Sequence, residues 1–497
     1  MLKYTIFKKR TEPMDFIFCL VGATLSGLSF VSEHLWFLPL VAPGFFFFSL
    51  YNEKRPFLKG FIFGLIFYMF NTLFLSSLDI SHLTGNLFSR KFFPFIAYMA
   101  VCIIEGLFTG IFTKLFIILK TNTKKSFHSL LFASSWIIYE FLLGLPFSDF
   151  GYPFGRISIP FAEKPFLIQT SSLFGMLFIS FIVIYFATSS AMSFIEKSAK
   201  YMYLPIAVLT LNLACSALLY ALPENGEGIT VKCVQNGYGG YEKWAAPPLT
   251  IIRNSAKEFQ GADIVVFSEC TIPITLNKTS YLSLLSEEAE NNNVTVLAGS
   301  LYRDENGKNY TSVYHFPYKE NEIYHKRHPV PYGEYFPLFD LFIDDLKEAG
   351  LSKGKTSKPL GKYLAGPVIC FDSMFPEYSR DTVKKGARIL CISTNDSWFS
   401  KGEGARLHLY HSIYRAVENG RYVARSACTG ISAVIDSKGN IKSFVPLNKT
   451  DNITEKVLLL DEITPYTFFG DAPILLYAFS VIAFSLINSK RRKKIAG

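Results

Sequence analysis

The sequence predicts two structural units in one chain, an α-helical bundle that spans a membrane and an α/β domain. Two observations lead to this prediction. Half of the 497 residues are hydrophobic and only 18% are charged, and 49 are Phe, which is unusual for a water-soluble protein. The apolar residues are concentrated in residues 1–222 and again after residue 467, whereas the residues between have the composition of an ordinary globular domain.

Eight apolar runs are candidates for membrane spans. A helix needs about 20 apolar residues to cross a hydrocarbon core of about 30 Å. The runs are approximately residues 14–32, 35–51, 57–79, 93–119, 127–145, 168–193, 202–221 and 471–488. The run 35–51 contains two prolines and is the weakest candidate. We predict a transmembrane bundle of about seven helices over 1–222, a folded domain over 223–466, and a final helix with a basic tail over 467–497.

The orientation follows from Lys and Arg residues in the short loops, because such residues are retained in the cytoplasm. If the N-terminus is inside, the inner segments hold most of them, including the run 490–494. The outer short loops then hold Arg90, Lys91, Arg156 and Lys164. Seven crossings place residues 223–466 on the extracytoplasmic side. The net charge of +10 comes largely from these flanks, so we predict no nucleic-acid partner.

Within residues 223–466, short β-rich runs alternate with helical stretches, a pattern typical of an α/β sandwich. The predicted strands are Ile229–Gln235, Ile264–Ser268, Thr295–Gly299, Val313–Phe316, Gly366–Cys370, Ile389–Thr394, Tyr422–Ser426 and Ser432–Asp436. The predicted helices are Pro247–Gln260, Leu282–Asn291, Pro376–Lys385 and Gly404–Asn419.

Three side chains in this domain could carry chemistry. Cys370 ends a predicted strand before a turn, where a thiol is well placed for nucleophilic attack, although free cysteines are commonly buried in cores. Glu269 follows another apolar strand, and partial burial would suit it to act as a base; the alternative is a helix cap or a solvated carboxylate. Lys326 and Glu334 bracket a rigid loop with two prolines. A fixed ammonium there could stabilise an oxyanion, unless the loop is an ordinary basic surface.

We predict no metal site and no cofactor. His325 and His328 lie near Lys326, but no third ligand is apparent in the sequence. The eight cysteines form no CxxC pair. Glu140, inside a predicted span with Trp136 one turn earlier, is assigned a structural hydrogen-bonding role rather than a catalytic one.

The order Glu269, Lys326, Cys370 resembles the catalytic triad of the nitrilase, or carbon–nitrogen hydrolase, superfamily. The run from Lys326 to Glu334 matches its Lys-x-His-x-Val-Pro-x-Gly-Glu pattern. Because membrane spans lie on both sides, the resemblance narrows to the apolipoprotein N-acyltransferase family and covers nearly the whole chain. It implies a four-layer αββα nitrilase-like sandwich joined to the α-helical transmembrane bundle.

The resemblance also implies the chemistry. Cys370 would take a fatty acyl chain from a membrane phospholipid as a thioester and pass it to the N-terminal amine of the S-diacylglyceryl cysteine of a lipoprotein. Glu269 would be the base, and Lys326 would stabilise the oxyanion. The chain is then expected to be a monomeric multi-pass enzyme of the cell (inner or cytoplasmic) membrane whose partners are the phospholipid donor and the diacylated lipoprotein acceptor.

Supporting roles also follow from the resemblance. The supporting residues would be Glu334, Phe371, Asp372, Trp244 and Asn395, and the residues of the substrate entrance would be Phe147 and Tyr152. At the nucleophile the family has Cys-Tyr-Glu, whereas this chain has an acid one methylene shorter and no hydroxyl. The family's Phe-Pro-Trp is Leu-Pro-Phe here, at residues 145–147.

Three other functions remain open at this stage. The same triad could serve a membrane-tethered amidase or hydrolase, in which water replaces the amine acceptor. It could serve a lipid-linked transferase that acts on another amine. The third alternative is a scaffold or binding protein that has lost catalysis, against which the intact triad argues.

Overall fold

The chain folds into a membrane bundle and an α/β domain. The computed structural model describes residues 11–80, 86–121, 123–145, 152–239, 242–331, 333–335, 350–399 and 402–496. The helices of the bundle that precede the domain are α1 (Glu12–Val31), α2 (Ala42–Ser49), α3 (Pro56–Asn71), α4 (Leu87–Lys120), α5 (His128–Leu143), α6 (Ser171–Phe174), α7 (Met176–Glu196) and α8 (Lys200–Ala221).

Within the described residues, α1, α4, α5, α7 and α8 belong to five segments that are long and apolar enough to cross a membrane. The helix α3 and the apolar part of the final helix, Ala472–Ile487, are shorter. The chain is therefore a multi-pass membrane protein.

The predicted span 35–51 was wrong as a continuous helix. The chain instead forms 3₁₀ turns at Glu33–Leu35 and Leu38–Leu40 and then the short α2. Pro39 is the second residue of the second 3₁₀ turn, and Pro43 is the second residue of α2. Proline starts a helix readily, but it has no N–H to continue one, so it divides the run into short pieces.

One end of the bundle, which we call the Lys59 end, is fastened by buried ionic contacts. The Lys59 ammonium donates to the Ser49 carbonyl at 2.7 Å and lies 3.3 Å from the Asp15 carboxylate. The start of α1, the end of α2 and the start of α3 therefore lie at the same end, so the broken segment still returns across the bundle. Further ion pairs at this end are Lys120–Glu53 at 3.0 Å and Lys125–Glu196 at 2.9 Å.

The α/β domain is attached to the opposite end. The helix α1 begins at the Lys59 end, and its last two carbonyls, those of Phe30 and Val31, each accept a hydrogen bond from the Arg406 guanidinium at 2.8 Å. At the same end, the first amide of α7, from Met176, donates to Glu418 of the domain at 3.0 Å. The thickness of the bundle thus separates the domain from Lys59.

Twelve strands of the described residues form two sheets. They are β1 (Glu227–Gln235), β2 (Ile264–Phe267), β3 (Ile272–Thr275), β4 (Thr295–Arg303), β5 (Asn309–Phe316), β6 (Ile323–His325), β7 (Ala365–Ile369), β8 (Ile389–Thr394), β9 (Val423–Ala427), β10 (Ser432–Ile435), β11 (Ile441–Val445) and β12 (Asp451–Leu459). The first sheet has the order β12-β1-β2-β4-β5-β6, with β3 beside β4, and the second has the order β11-β10-β9-β8-β7.

Helices cover the outer face of each sheet and complete four layers. The helices are α9 (Glu242–Ala245), α10 (Pro248–Ala256), α11 (Tyr281–Asn291), α12 (Pro376–Lys384), α13 (Gly402–Asn419) and α14 (Pro465–Phe469), and the final helix of the bundle is α15 (Ala472–Ala496). In β2, Ile264 and Val266 pack between the sheets, whereas Val265 and Phe267 pack under α10 and α11. This alternation is that of a strand buried on both faces.

The outer layer of the second sheet packs directly on the membrane bundle. Side chains of α13, including Ile413 and Tyr414, belong to the same buried apolar cluster as Ile159 and Phe154 of the loop between α5 and α7. The Tyr414 hydroxyl donates to the Ser158 carbonyl at 2.7 Å. The domain and the bundle therefore share one hydrophobic core.

The eight predicted strands and four predicted helices of the domain each overlap an observed element. Four strands were missed, namely β3, β6, β11 and β12. The strands β3 and β6 are short, and β11 and β12 carry charged or exposed residues along much of their length, so neither pair produces a strong apolar run.

Candidate active site

Three strand ends bring the predicted triad together. Glu269 follows β2, Lys326 directly follows β6, and Cys370 directly follows β7. The strands β2 and β7 belong to different sheets, and the two sheets meet here because the Glu269 amide donates to the Thr394 carbonyl at the end of β8, at 3.4 Å. Side chains that are far apart in sequence thus converge at one edge of the sandwich.

The Lys326 ammonium lies between two carboxylates. Its Nζ donates to Glu269 Oε1 at 2.8 Å and to Glu334 Oε1 at 2.9 Å. The other oxygen of Glu334 accepts the Val330 amide at 2.7 Å, which fixes the loop that carries both ends of the motif. Lys326 is 1% exposed and Glu269 is 5% exposed. The three side chains form a buried, hydrogen-bonded charge cluster.

The electrostatics of the site keep Lys326 charged and Cys370 protonated at rest. Burial alone lowers the pKa of Lys326, but the carboxylates of Glu269 and Glu334 reverse this effect and hold it well above its usual value. Burial raises the pKa of the Cys370 thiol far above its usual value, the charge of Glu269 raises it further, and Lys326 opposes both. Reaction of this sulfur therefore requires a base to remove its proton.

Cys370 occupies a backbone conformation that L-residues rarely adopt. Its φ is +47°, at the start of a 3₁₀ turn that spans Cys370–Met374. Such left-handed residues cost about 1–2 kcal/mol and persist where the surroundings fix them, often at functional sites. Two side chains hold the Cys370 carbonyl: Ser373 Oγ donates to it at 2.7 Å, and His408 Nε2 lies 3.1 Å away.

A buried network behind the cysteine holds His408 in place. His408 Nδ1 lies 2.8 Å from Asp396 Oδ1, and Arg425 donates to the other oxygen of Asp396 at 2.7 Å. Although burial alone raises it, the Arg425 guanidinium and the His408 side chain hold the pKa of Asp396 at about 2. The Ser373 hydroxyl has one proton, which it donates to the Cys370 carbonyl. In the 2.9 Å contact between Ser373 and His408 we therefore assign the imidazole Nε2–H as the donor and the Ser373 oxygen as the acceptor. The turn is thus anchored by a charged network.

Two family models match consecutive parts of this chain. The model of the apolipoprotein N-acyltransferase N-terminal domain matches residues 22–189, and that of carbon-nitrogen hydrolase matches residues 234–462. A crystal structure of Saccharomyces cerevisiae Nit3, a member of branch 10 of the nitrilase superfamily, aligns at 21% identity and a TM-score of 0.37, and it covers 50% of this chain and 95% of that chain.

Proteins of similar length match almost the whole chain. The apolipoprotein N-acyltransferase of Photobacterium profundum is 26% identical over 505 residues, which are 95% of this chain and 94% of the relative. That of Rickettsia bellii is 28% identical over 393 residues, 73% of this chain and 77% of the relative. This chain belongs to the apolipoprotein N-acyltransferase family. The predicted fold class and the predicted enzyme class, an acyltransferase, are confirmed.

The departure from the family's Cys-Tyr-Glu pattern leaves a complete hydrogen-bond network. The shorter Asp372 is buried, and its Oδ2 accepts the Tyr324 hydroxyl at 2.7 Å and the Arg327 amide at 3.1 Å, while its Oδ1 accepts the His328 amide at 2.7 Å. Phe371 packs edge-on against Phe375 with ring centroids 5.2 Å apart. Asp372 therefore ties the nucleophile turn to the two residues that follow Lys326.

The other residues assigned from the family resemblance lie in different surroundings. Trp244 is 47% exposed, and Asn395 accepts hydrogen bonds from the amide and hydroxyl of Ser397. Tyr152 packs its ring on Tyr68 and Phe154. None of these contacts within the described residues reaches the triad, and Phe147 lies outside them. Their roles stay predictions.

The site borders the membrane bundle through the loop that follows β8. Phe399 of this loop packs edge-on against Phe74, with ring centroids 5.1 Å apart, in the turn after α3. The Asp79 amide donates to the Trp398 carbonyl at 3.0 Å, and Leu78 pairs with Phe399 as an isolated β-bridge. Because the same β8 end also bonds Glu269, the triad lies one loop away from the end of a membrane helix.

The sequence analysis assigned no role to Asp396, His408 and Arg425, which together hold the turn that begins at Cys370. Asp396 lies two residues after the end of the predicted strand Ile389–Thr394. The ends of strands are where polar site residues are expected in an α/β fold. That position was a usable signal. No comparable signal marks His408 and Arg425, because their pairing with Asp396 depends on the packing of α13 against β9.

Proposed function

We propose that this chain moves a fatty acyl chain from a membrane phospholipid to the N-terminal amine of the S-diacylglyceryl cysteine of a lipoprotein, through a thioester on Cys370. One observation carries the proposal. A protonated nucleophile on a strained turn lies in a buried cluster with a carboxylate and an ammonium, in a domain that shares its core with a membrane bundle. The family membership supports this substrate pair.

The first half-reaction forms the acyl-enzyme. Glu269 removes the thiol proton of Cys370, and the sulfur attacks the ester carbonyl of the phospholipid. The oxyanion of the tetrahedral intermediate is stabilised by Lys326, which loses an anionic partner as Glu269 becomes neutral. When the intermediate collapses, the bond to the glycerol oxygen breaks and Glu269 returns the proton to that oxygen. The products are a thioester and a lysophospholipid.

The second half-reaction regenerates the thiol. The neutral α-amine of the diacylated lipoprotein attacks the thioester carbonyl, and Glu269 accepts a proton from the nitrogen. Collapse of the second intermediate forms the amide bond and expels the sulfur, which regains its proton from Glu269. Glu334 does not exchange protons in this scheme, because its carboxylate holds Lys326 and the Val330 amide in place.

We further propose that the catalytic domain, which we place at residues 223–466, lies on the extracytoplasmic side. The Lys59 end of the bundle carries Lys54, Lys120, Lys124 and Lys125, as the positive-inside rule requires of a cytoplasmic end. The bonds of Arg406 to the end of α1 support a domain at the other end. The final helix α15 then returns the tail to the cytoplasm.

Mass spectrometry of the intact protein tests the acyl-enzyme. We expect the purified protein, mixed with a phospholipid of defined acyl chains, to gain the mass of one acyl chain on Cys370 and to lose it when a diacylated lipopeptide is added. Cys370→Ala should gain no mass. The matched control is Cys270→Ala, because Cys270 is also buried and also has a positive φ, of +49°, beside Glu269.

Two results would count against the proposal. A folded wild-type protein that never gains the acyl mass, or a Cys370→Ala variant that still does, would exclude a thioester at this position. If the thioester forms but releases free fatty acid at the same rate with and without the lipopeptide, the chain is a hydrolase instead. Discharge by simple amines at the same rate would favour a transferase with another acceptor.

Thiol labelling in intact cells tests the side of the membrane. We expect Glu305→Cys, at an exposed turn of the domain, to react with a membrane-impermeant maleimide added outside. Lys124→Cys, exposed at the Lys59 end, should react only after the inner membrane is permeabilised. The reverse pattern would place the domain in the cytoplasm. In a diderm cell, the outer membrane must be made permeable to the reagent in both arms.

A further inference from the structure

A second lysine reaches the triad from a different element. Lys243, on the one-turn helix α9, is 2% exposed. Its Nζ donates to the main-chain carbonyl of Glu269 at 3.4 Å. The sulfur of Cys428 shares that carbonyl at 3.5 Å. The ammonium thus approaches the catalytic carboxylate from the side of its backbone, whereas Lys326 approaches from the side of its carboxyl group.

Lys243 lacks the partner that a buried ammonium usually has. Among the residues whose side chains the structure describes, no carboxylate oxygen lies within 4 Å of its Nζ. Its Nζ also lies over the Trp244 ring, 5.6 Å from the centroid, but neither this ring nor the carbonyl is an anion, and a buried cation without an anion is costly. Negative charge that arises near this ammonium is therefore stabilised by it.

The groups that face Lys243 show where this charge arises. Its electrostatic neighbours are the thiols of Cys428 and Cys270, the carboxylate of Glu269 and the thiol of Cys370, and together they keep the pKa of Lys243 raised although burial alone lowers it. Burial raises the pKa of the Cys270 and Cys428 thiols, and the charge of Glu269 raises the pKa of both further. When Glu269 takes the proton of Cys370, negative charge moves from the carboxylate to the sulfur, on which the charges of Lys326 and Lys243 both act.

We propose that Lys243 is a second ammonium of the active site, which holds the Glu269 backbone and stabilises the negative charge that forms on Cys370. This inference deepens the proposed function, because it rests on Cys370 as the nucleophile. Lys326 and Lys243 then stabilise different negative charges. The first holds Glu269 and Glu334 and receives the oxyanion, and the second offsets the thiolate, both when it forms and when it leaves in the second half-reaction.

Alkylation of Cys370 by iodoacetamide, read by peptide mass spectrometry, tests this role without any lipid. Only the thiolate reacts, so the rate follows its population. We expect Lys243→Met to react about tenfold more slowly than the wild type at each pH from about 7 to 10, which corresponds to about one unit in the thiol pKa. Lys243→Gln keeps a hydrogen-bond donor for the Glu269 carbonyl but no charge, and it should be slowed equally. Lys243→Arg should retain most of the rate.

The control is Lys257→Met, because Lys257 is exposed and its ammonium contacts Asn254. It should leave the alkylation rate unchanged. An unchanged rate in folded Lys243→Met and Lys243→Gln overturns the proposal. So does an equal loss in Lys243→Arg, since charge would then not be the cause. Faster alkylation of buried Cys270 and Cys428 in the variants would show a loosened site and would also overturn it. Absence of acyl transfer in the wild type would instead contradict the proposed function and would leave this readout intact.

Discussion

Glu269→Gln is expected to slow formation of the acyl-enzyme by about a thousandfold while the protein stays folded. Loss of a positioned general base commonly costs 10²- to 10⁴-fold, roughly, and this site depends on one because burial keeps the Cys370 thiol protonated. The amide can still accept the Lys326 hydrogen bond through its oxygen, so the loop should remain in place. The measurement is the rate at which the acyl mass appears on the protein after mixing with phospholipid.

The pH dependence of that rate separates a missing base from a damaged site. With the amide at position 269, the thiolate must form by simple ionisation, and below the raised pKa of Cys370 its population grows tenfold per pH unit, roughly. The residual rate should therefore rise steeply up to about pH 10. Glu334→Gln removes a carboxylate from the same ammonium, but it should cost only about tenfold, because Glu334 positions Lys326 without accepting a proton. Equal losses in the two variants would contradict these assigned roles.

Asp372→Ala is expected to lower both stability and activity strongly. Asp372 is fully buried, and three donors, from Tyr324, Arg327 and His328, end on its two oxygens. Each buried donor left without a partner costs about 1–3 kcal/mol, so we expect a loss of about 3–5 kcal/mol in the free energy of unfolding. The loop would also release Lys326, and a displacement of about 1 Å in an active site can cost about 100-fold in rate. Thermal inactivation in detergent and the acylation rate measure the two effects.

The matched control for Asp372 is Asp381→Ala. Asp381 also contacts Arg327, through an ion pair at 2.8 Å, but it is 32% exposed and sits on the surface of α12. Exposed ion pairs contribute about 0–1 kcal/mol, so this variant should be close to the wild type. Asp372→Glu should fall between the two, because the longer acid must shift the turn to reach the same three donors. A near-normal Asp372→Ala would mean that the loop is held by other contacts.

The candidate triad could be singled out from the sequence only because the nitrilase resemblance joined three residues whose local signals each left another interpretation open. Glu269 and Cys370 lie beside strands with continuous apolar runs, which are easily found. Lys326 follows β6, a strand too short to predict, but its loop carries a distinctive proline and glycine pattern. Local patterns marked the ends of the strands, the resemblance selected the three residues, and their hydrogen bonds depend on how the two sheets face each other.

The contacts that hold the triad depend on tertiary packing and were not predictable. The sequence shows that Asp372 is one methylene shorter than the acid of the family, but not that three donors reach it, which depends on how closely Tyr324 and residues 327–328 approach the turn. The burial of Lys243 depends on where α9 folds back on the site. The break in the second membrane segment, in contrast, was signalled by Pro39 and Pro43 and could have been predicted more firmly.

The catalytic domain is joined to the bundle by α8 and α15, and it also shares a hydrophobic core with it. The enzyme therefore cannot leave the bilayer between turnovers, and encounter with both substrates takes place by diffusion in two dimensions. The quantity that governs its speed is then the number of donor and acceptor molecules per unit area of membrane, not their concentration in the surrounding water. Dilution of the substrates with inert lipid slows such an enzyme, whereas dilution of the whole membrane suspension does not.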